Sequence, residues 1–170
     1  RFVDENEVKV RTLDVQIVDI ADEIAYAAHD LEDGLRVKAF TIDEILHDYK
    51  ACYGNSDCYK IFEEHVNKAK EKAGYGLSVL ESTQYSKLFR QELTSRLINL
   101  ALNDIGLVLV TPEMKGKTGT KQSEELGFLS HGELVHGLKD IVFKCINHND
   151  EVYHYEQEGR KVLQFLAAFY

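Results

Sequence analysis

The sequence predicts an all-α protein: an irregular bundle of about six helices, with one long loop around residues 111–130. Three observations carry that prediction. The 170 residues include one proline and eleven glycines, too few breakers for a loop-rich β fold. Apolar residues recur at steps of three and four over most of the chain, the period of a helix with one buried face. Capping residues stand where those runs begin. The length suits a single helical domain over residues 1–170, long enough to bury a core. A hydrophobic fraction of 44% and a charged fraction of 29% are those of an ordinary globular chain.

Each element has its own local signal. Residues 12–35, TLDVQIVDIADEIAYAAHDLEDGL, open on Thr12 as an N-cap and carry acids early; Gly34 reads as a weak point or an end. Residues 41–51 pair Thr41 with Glu44 three positions on, a capping box. Residues 56–74 start at Ser56 or Asp57 and stop at Gly74. In the segment from Thr83 to Gly106, Leu88, Phe89, Leu93, Leu97, Leu100 and Ala101 mark one apolar face. Residues 111–130 hold the only proline, Pro112, and three glycines, and read as a loop with short extended pieces at most. Residues 131–147 and 151–170 are two further helices, the last ending on the apolar run Phe165–Tyr170.

The charge balance narrows the function classes. A net charge of −9 argues against a general nucleic-acid binder, whose affinity rests on cationic contacts to phosphate. A bound cation would reverse that sign locally and admit a nucleotide. The basic stretch Lys115, Lys117 and Lys121 is the one hint of nucleic-acid contact, and short lysine-rich loops are far more often solvated linkers. No run approaches the length of a membrane span and no signal peptide is visible, so a cytoplasmic location is expected. Cys52, Cys58 and Cys145 follow no disulfide or zinc spacing and are expected to be free thiols. The absence of an initiator methionine suggests a chain cut from something longer.

The chemistry concentrates in the stretch ADEIAYAAHDLEDG, residues 21–34, five of whose fourteen residues are acidic. On a helical wheel Asp19, Asp22, Tyr26, Asp30 and Asp33 fall within roughly 80° of one another, forming one stripe. Leu13, Ile17, Ile20, Ile24, Leu31 and Leu35 lie on the other side. Most acidic faces are simply solvated. This one has no basic residue from Thr12 to Leu35 to neutralise it, and an aromatic ring at its centre. A cation, or the hydroxyls of a substrate, would relieve the repulsion. His29 and Asp30 look like a metal pair, but neighbours on a helix diverge by about 100°, leaving His29 at the stripe's edge. His131 and His136, five apart, make no clean metal face and read as structural or surface residues.

At these residues a resemblance enters. TLDVQIVDIADEIAYAAHDLEDGL is similar to a segment of bacterial dGTPase-like deoxynucleoside triphosphate triphosphohydrolases, members of the HD-domain phosphohydrolases. KLFRQELTSRLINLALND and YEQEGRKVLQFLAAFY resemble that family's C-terminal helices more loosely. The resemblance implies a largely α-helical, homo-oligomeric enzyme that splits a dNTP into deoxynucleoside and triphosphate, with Mg²⁺ or Mn²⁺ as cofactor. It places Asp22 as a metal ligand and Tyr26 and Asp30 against the substrate sugar, the aspartate accepting from the 3′-hydroxyl. Glu23 falls where some relatives carry a lysine that reaches toward phosphate, so that role is not carried over. The family's other metal ligands, a histidine and a His-Asp pair, lie upstream of the part that this chain matches. The chain is thus expected to be a C-terminal portion, inactive and without its metal when alone. The alternative is a non-catalytic helical module that binds another protein through its apolar faces.

Overall fold

A computed structural model describes residues 2–3, 9–75, 81–112, 122–147 and 150–169. Two short strands, β1 (Phe2–Val3) and β2 (Lys9–Val10), pair antiparallel ahead of the first helix. The helices follow: α1 (Leu13–Val37), α2 (Ile42–Tyr53), α3 (Asp57–Gly74) and α4 (Ser82–Asn103). A hairpin of β3 (Ile105–Leu109) and β4 (Glu124–Phe128) leads into α5 (Gly132–Asn147) and α6 (Asp150–Phe169). The described residues therefore form the expected all-α bundle of six helices, with two small sheets.

Local signals set several of the helix ends. The Thr12 hydroxyl accepts from the Val15 amide at the start of α1. Thr41 and Glu44 form the reciprocal capping box: the Thr41 amide donates to Glu44 Oε2 at 2.6 Å, and the Glu44 amide donates to Thr41 Oγ1 at 3.2 Å. Ser56 stands at the start of α3, but its hydroxyl turns back to the Tyr53 carbonyl at 2.9 Å instead of capping. Gly74 ends α3.

Three expectations are corrected. The helical face read on to Gly106 stops at Asn103, because Ile105–Leu109 pairs in register with Glu124–Phe128, a short extended piece within the expected 111–130 loop. β3, IGLVL, is a continuous apolar run that extends the helical run before it, and β4, EELGF, opens on two glutamates, so neither carries the alternation of a strand in its sequence. Residues 113–121, with Lys115, Lys117 and Lys121, lie outside the described residues. Gly34 does not end α1, which runs on to Val37 and closes at Lys38 in the left-handed conformation, φ 60°. Finally, Leu13 and Ile17 are 59% and 51% exposed, so only the later part of the predicted apolar face is buried: Ile20, Ile24 and Leu31.

α1 runs through the middle of the fold, packed on α4 and α5; α3 lies against α4, and α2 links α3 to α5. The core fills the space between them with Ile45, Tyr49, Phe62, Val66, Leu93, Leu134, Leu138 and Val142, all nearly inaccessible. Gly137 lets α5 approach α2 closely, since a methyl there would meet the Tyr53 ring at 3.0 Å and the Tyr49 hydroxyl at 3.1 Å.

Gly34 serves packing. An added Cβ would stand 2.1 Å from the Phe40 ring, which is itself buried. Gly34→Ala gains up to about 1 kcal/mol of helix propensity. Against that stands the displacement of a buried ring, an overpacking cost of about 1–3 kcal/mol. The net result expected is a lower melting temperature by calorimetry; an unchanged or higher one contradicts this account.

Candidate functional site

The acidic stripe exists as a surface of α1, and its neighbours explain how the fold tolerates it. Each compensating base comes from outside the segment Thr12–Leu35. Arg11, just before the helix, donates from Nε to Asp19 Oδ2 at 2.9 Å and reaches Glu125 on β4 at 3.1 Å. Arg36, one turn beyond Asp33, pairs with it at 2.9 Å. Asp33 is thus held by a helix i,i+3 pair. From α5, Lys139 Nζ donates to Glu23 Oε1 at 2.7 Å, and His136 Nδ1 lies 3.2 Å from Glu23 Oε2.

Asp22, Tyr26 and Asp30 share the middle of this face. Asp22 is exposed, the Tyr26 ring is 44% exposed, and Asp30 is half-buried. The Lys139 ammonium sits over the Tyr26 ring, 5.0 Å from its centroid. Burial, with the charges of Asp33 and Asp22, pushes the Asp30 carboxyl above its ordinary range, partly opposed by His29 and Lys139. Its charge is therefore incompletely compensated, and a hydroxyl donor offered by a ligand would relieve it. The hydrogen bond to Glu23 holds Lys139 above its ordinary range, with the charges of Glu23, Asp22 and Tyr26 adding to it against burial. Asp22 and Asp30, eight residues apart, are separated by about 12 Å along the helix, so one can serve one end of a ligand while the other serves its far end.

His29, His131 and His136 have separate partners. His29 stays beside the stripe, 3.9 Å from Glu32. His131 faces Asp104 at 3.1 Å, and His136 faces Glu23. Among the described residues no group of three His, Cys, Asp or Glu side chains could hold a metal ion. Asp22 offers one carboxylate, too few for a divalent cation, which takes several ligands. The cysteines are free thiols. Burial and the hydrogen bond to Asp48 push Cys145 up to about 11, and burial with Glu133 raises Cys58, so neither is a ready nucleophile at neutral pH.

Two polar junctions have no signal in the local sequence. Glu125 is almost fully buried, facing Arg11, while the buried Gln16 side chain accepts from the Leu126 amide at 2.8 Å and donates to the Arg11 carbonyl at 3.3 Å. Together they lock the hairpin onto the start of α1. Buried Asp104 accepts from the Ser130 amide at 3.0 Å and the His131 amide at 2.6 Å, anchoring the start of α5. Burial acts to raise its carboxyl, but these amides and the His131 side chain outweigh it and leave it below the usual carboxylate range.

The class defined so far is a helical bundle presenting a carboxylate–tyrosine face, buttressed by a lysine from a second helix. Comparison with known proteins sharpens this. The chain is 32% identical over 160 residues to the deoxyguanosinetriphosphate triphosphohydrolase-like protein 2 of Vibrio cholerae, covering 94% of this chain and 36% of that protein. It is 26% identical over 161 residues to the deoxyguanosinetriphosphate triphosphohydrolase-like protein of Bartonella henselae, covering 93% of this chain and 36% of that one. A stretch of 34 residues, 20% of this chain and 9% of the relative, is 50% identical to the protein of the same name from a Bradyrhizobium species. The chain thus spans little more than a third of the longer relatives that it matches along nearly all of its own length. No protein-family model matches it, and no solved structure matches it. No helix among the described residues is long and apolar enough to cross a membrane.

Proposed function

We propose that this chain is the C-terminal portion of a divalent-metal-dependent, HD-type triphosphohydrolase that converts a dNTP and water to a deoxynucleoside and triphosphate. The observation that carries the reading is the placement of Asp22, Tyr26 and Asp30 on one accessible face of α1, in a chain similar over 94% of its length to a protein named deoxyguanosinetriphosphate triphosphohydrolase-like. In this reading Asp22 is one ligand to Mg²⁺ or Mn²⁺, and the remaining ligands lie outside the described residues. When bound, such an ion polarises a phosphate and lowers the pKa of water. Tyr26 packs on the deoxyribose and Asp30 accepts from the 3′-hydroxyl, a contact that rejects analogues lacking it by leaving a buried acceptor unpaired. The complete protein is a cytoplasmic homo-oligomer, and the chain by itself does not turn over.

The test is to assay the complete protein, of relative-like length, for release of deoxynucleoside and triphosphate from each dNTP, with Mn²⁺, with Mg²⁺ and with chelator. Metal-dependent release of intact triphosphate supports the reading; stepwise loss of single phosphates, or no turnover with either metal, overturns it. A second reading, a helical interaction module, has one observation in its favour. Leu13, Ile17 and Val18 on α1 and Leu163, Phe165 and Phe169 on α6 are all more than half exposed. Native mass spectrometry of the isolated chain, showing a stable complex with another protein and no dNTP turnover in the complete one, would favour it.

A further inference from the structure

Tyr26 is the one aromatic residue in a row of carboxylates, and its surroundings are built from two helices. On α1, Glu23 and Tyr26 are three residues apart and share a face. On α5, His136 and Lys139 are likewise three apart. The four interlock: Glu23 takes Lys139 on one oxygen at 2.7 Å and stands 3.2 Å from His136 on the other, and Lys139 then lies over the Tyr26 ring at 5.0 Å. An unanchored lysine is a flexible stem with a mobile charge. Here a carboxylate and a ring fix it.

We propose that Lys139 is a positioning residue for Tyr26 and, through that ring, a determinant of selectivity between deoxyribonucleotides and ribonucleotides. The proposal rests on the reading of this face as the sugar wall of a dNTP site. An ammonium seated on one ring face is attracted to it and also closes that face to a ligand. The sugar is left the other face and the ring edge. A ring held in one orientation excludes an extra 2′-hydroxyl by contact, whereas a ring free to turn accommodates it. Glu23 gains a role in the same step: it holds the lysine that holds the ring.

The experiment uses the complete protein and a matched pair of substrates, dGTP and GTP. Lys139→Met is expected to lower the ratio of kcat/KM for dGTP over GTP by roughly three- to tenfold, the scale of one cation–π contact. The loss should come from improved relative use of GTP. Glu23→Gln, which loosens Lys139 but keeps its charge, should lower the ratio by a smaller factor. Lys139→Arg, which keeps a cation over the ring, should preserve it, and this variant also controls for loss of fold. Equal losses with both substrates would assign Lys139 a merely structural role and overturn the proposal, as would an unchanged ratio in Lys139→Met. Absence of dNTP turnover in the unsubstituted protein overturns the reading of the site together with this role. Turnover with a ratio indifferent to Lys139 overturns this role alone.

Discussion

Asp22→Asn in the complete protein is expected to reduce dNTP turnover by more than roughly 100-fold, since even residues that only orient a metal's ligands cost 10- to 100-fold when changed. The substitution keeps size and shape and removes the charge. Asp22 is exposed, and relief of its repulsion with Asp30 offsets the loss of its attraction to Lys139 on neutralisation. The melting temperature of the variant should match or slightly exceed that of the unsubstituted protein. Steady-state kinetics with saturating Mn²⁺, read beside a thermal melt, separates the two effects. Turnover within a few-fold of normal would remove Asp22 from the site, whatever else the α1 face does.

The second large effect is on stability. Asp104→Ala strips the Ser130 and His131 amides of their shared acceptor in a buried corner. Leaving such donors unpaired costs about 1–3 kcal/mol each, so the total expected is roughly 3 kcal/mol. For a domain of this size that corresponds to a fall in Tm of about 6–12 °C. Asp104→Asn keeps one carbonyl acceptor and should lose less. The pH dependence follows from the direction of the shift. The carboxyl is held below its ordinary value of 3.8 in the folded protein, so its contribution is present above that value and is lost as pH falls through the lower, folded-state value. The acid limb of a stability–pH curve should therefore flatten in Asp104→Ala. Parallel curves for the two proteins would show that Asp104 titrates normally.

What could be read from the sequence was what the chain does with its near neighbours. Thr12 and the Thr41–Glu44 box state their role within four residues, and the three- and four-residue spacing of Asp22, Tyr26 and Asp30 makes a single face on any regular helix. What could not be read depends on distant partners. Nothing within α1 shows that Arg11 turns back to Asp19 while also reaching Glu125, or that α5 sends Lys139 across to Glu23. Within Thr12–Leu35 the stripe has no base of its own; Arg11 and Arg36 stand one residue beyond its two ends. Leu13 and Ile17 fit the apolar period but stay exposed, since periodicity gives a direction and does not say whether anything packs there. The pairing of His131 with Asp104 depends on the hairpin between them, whose second strand begins with two glutamates.

The links that complete the α1 face join points far apart along the chain: Gln16 meets Leu126 across 110 residues, and Glu23 meets Lys139 across 116. Closing loops of that length is an entropic cost that local helix formation does not share. The helices can form early, but the ring over which Lys139 sits acquires its partner only after α5 has been made and has docked on α1. During synthesis the carboxylates of α1 leave the ribosome long before the lysine that steadies them. The face on which the proposed chemistry depends is therefore among the last parts of the molecule to be assembled, and folding intermediates should contain α1 without a formed site.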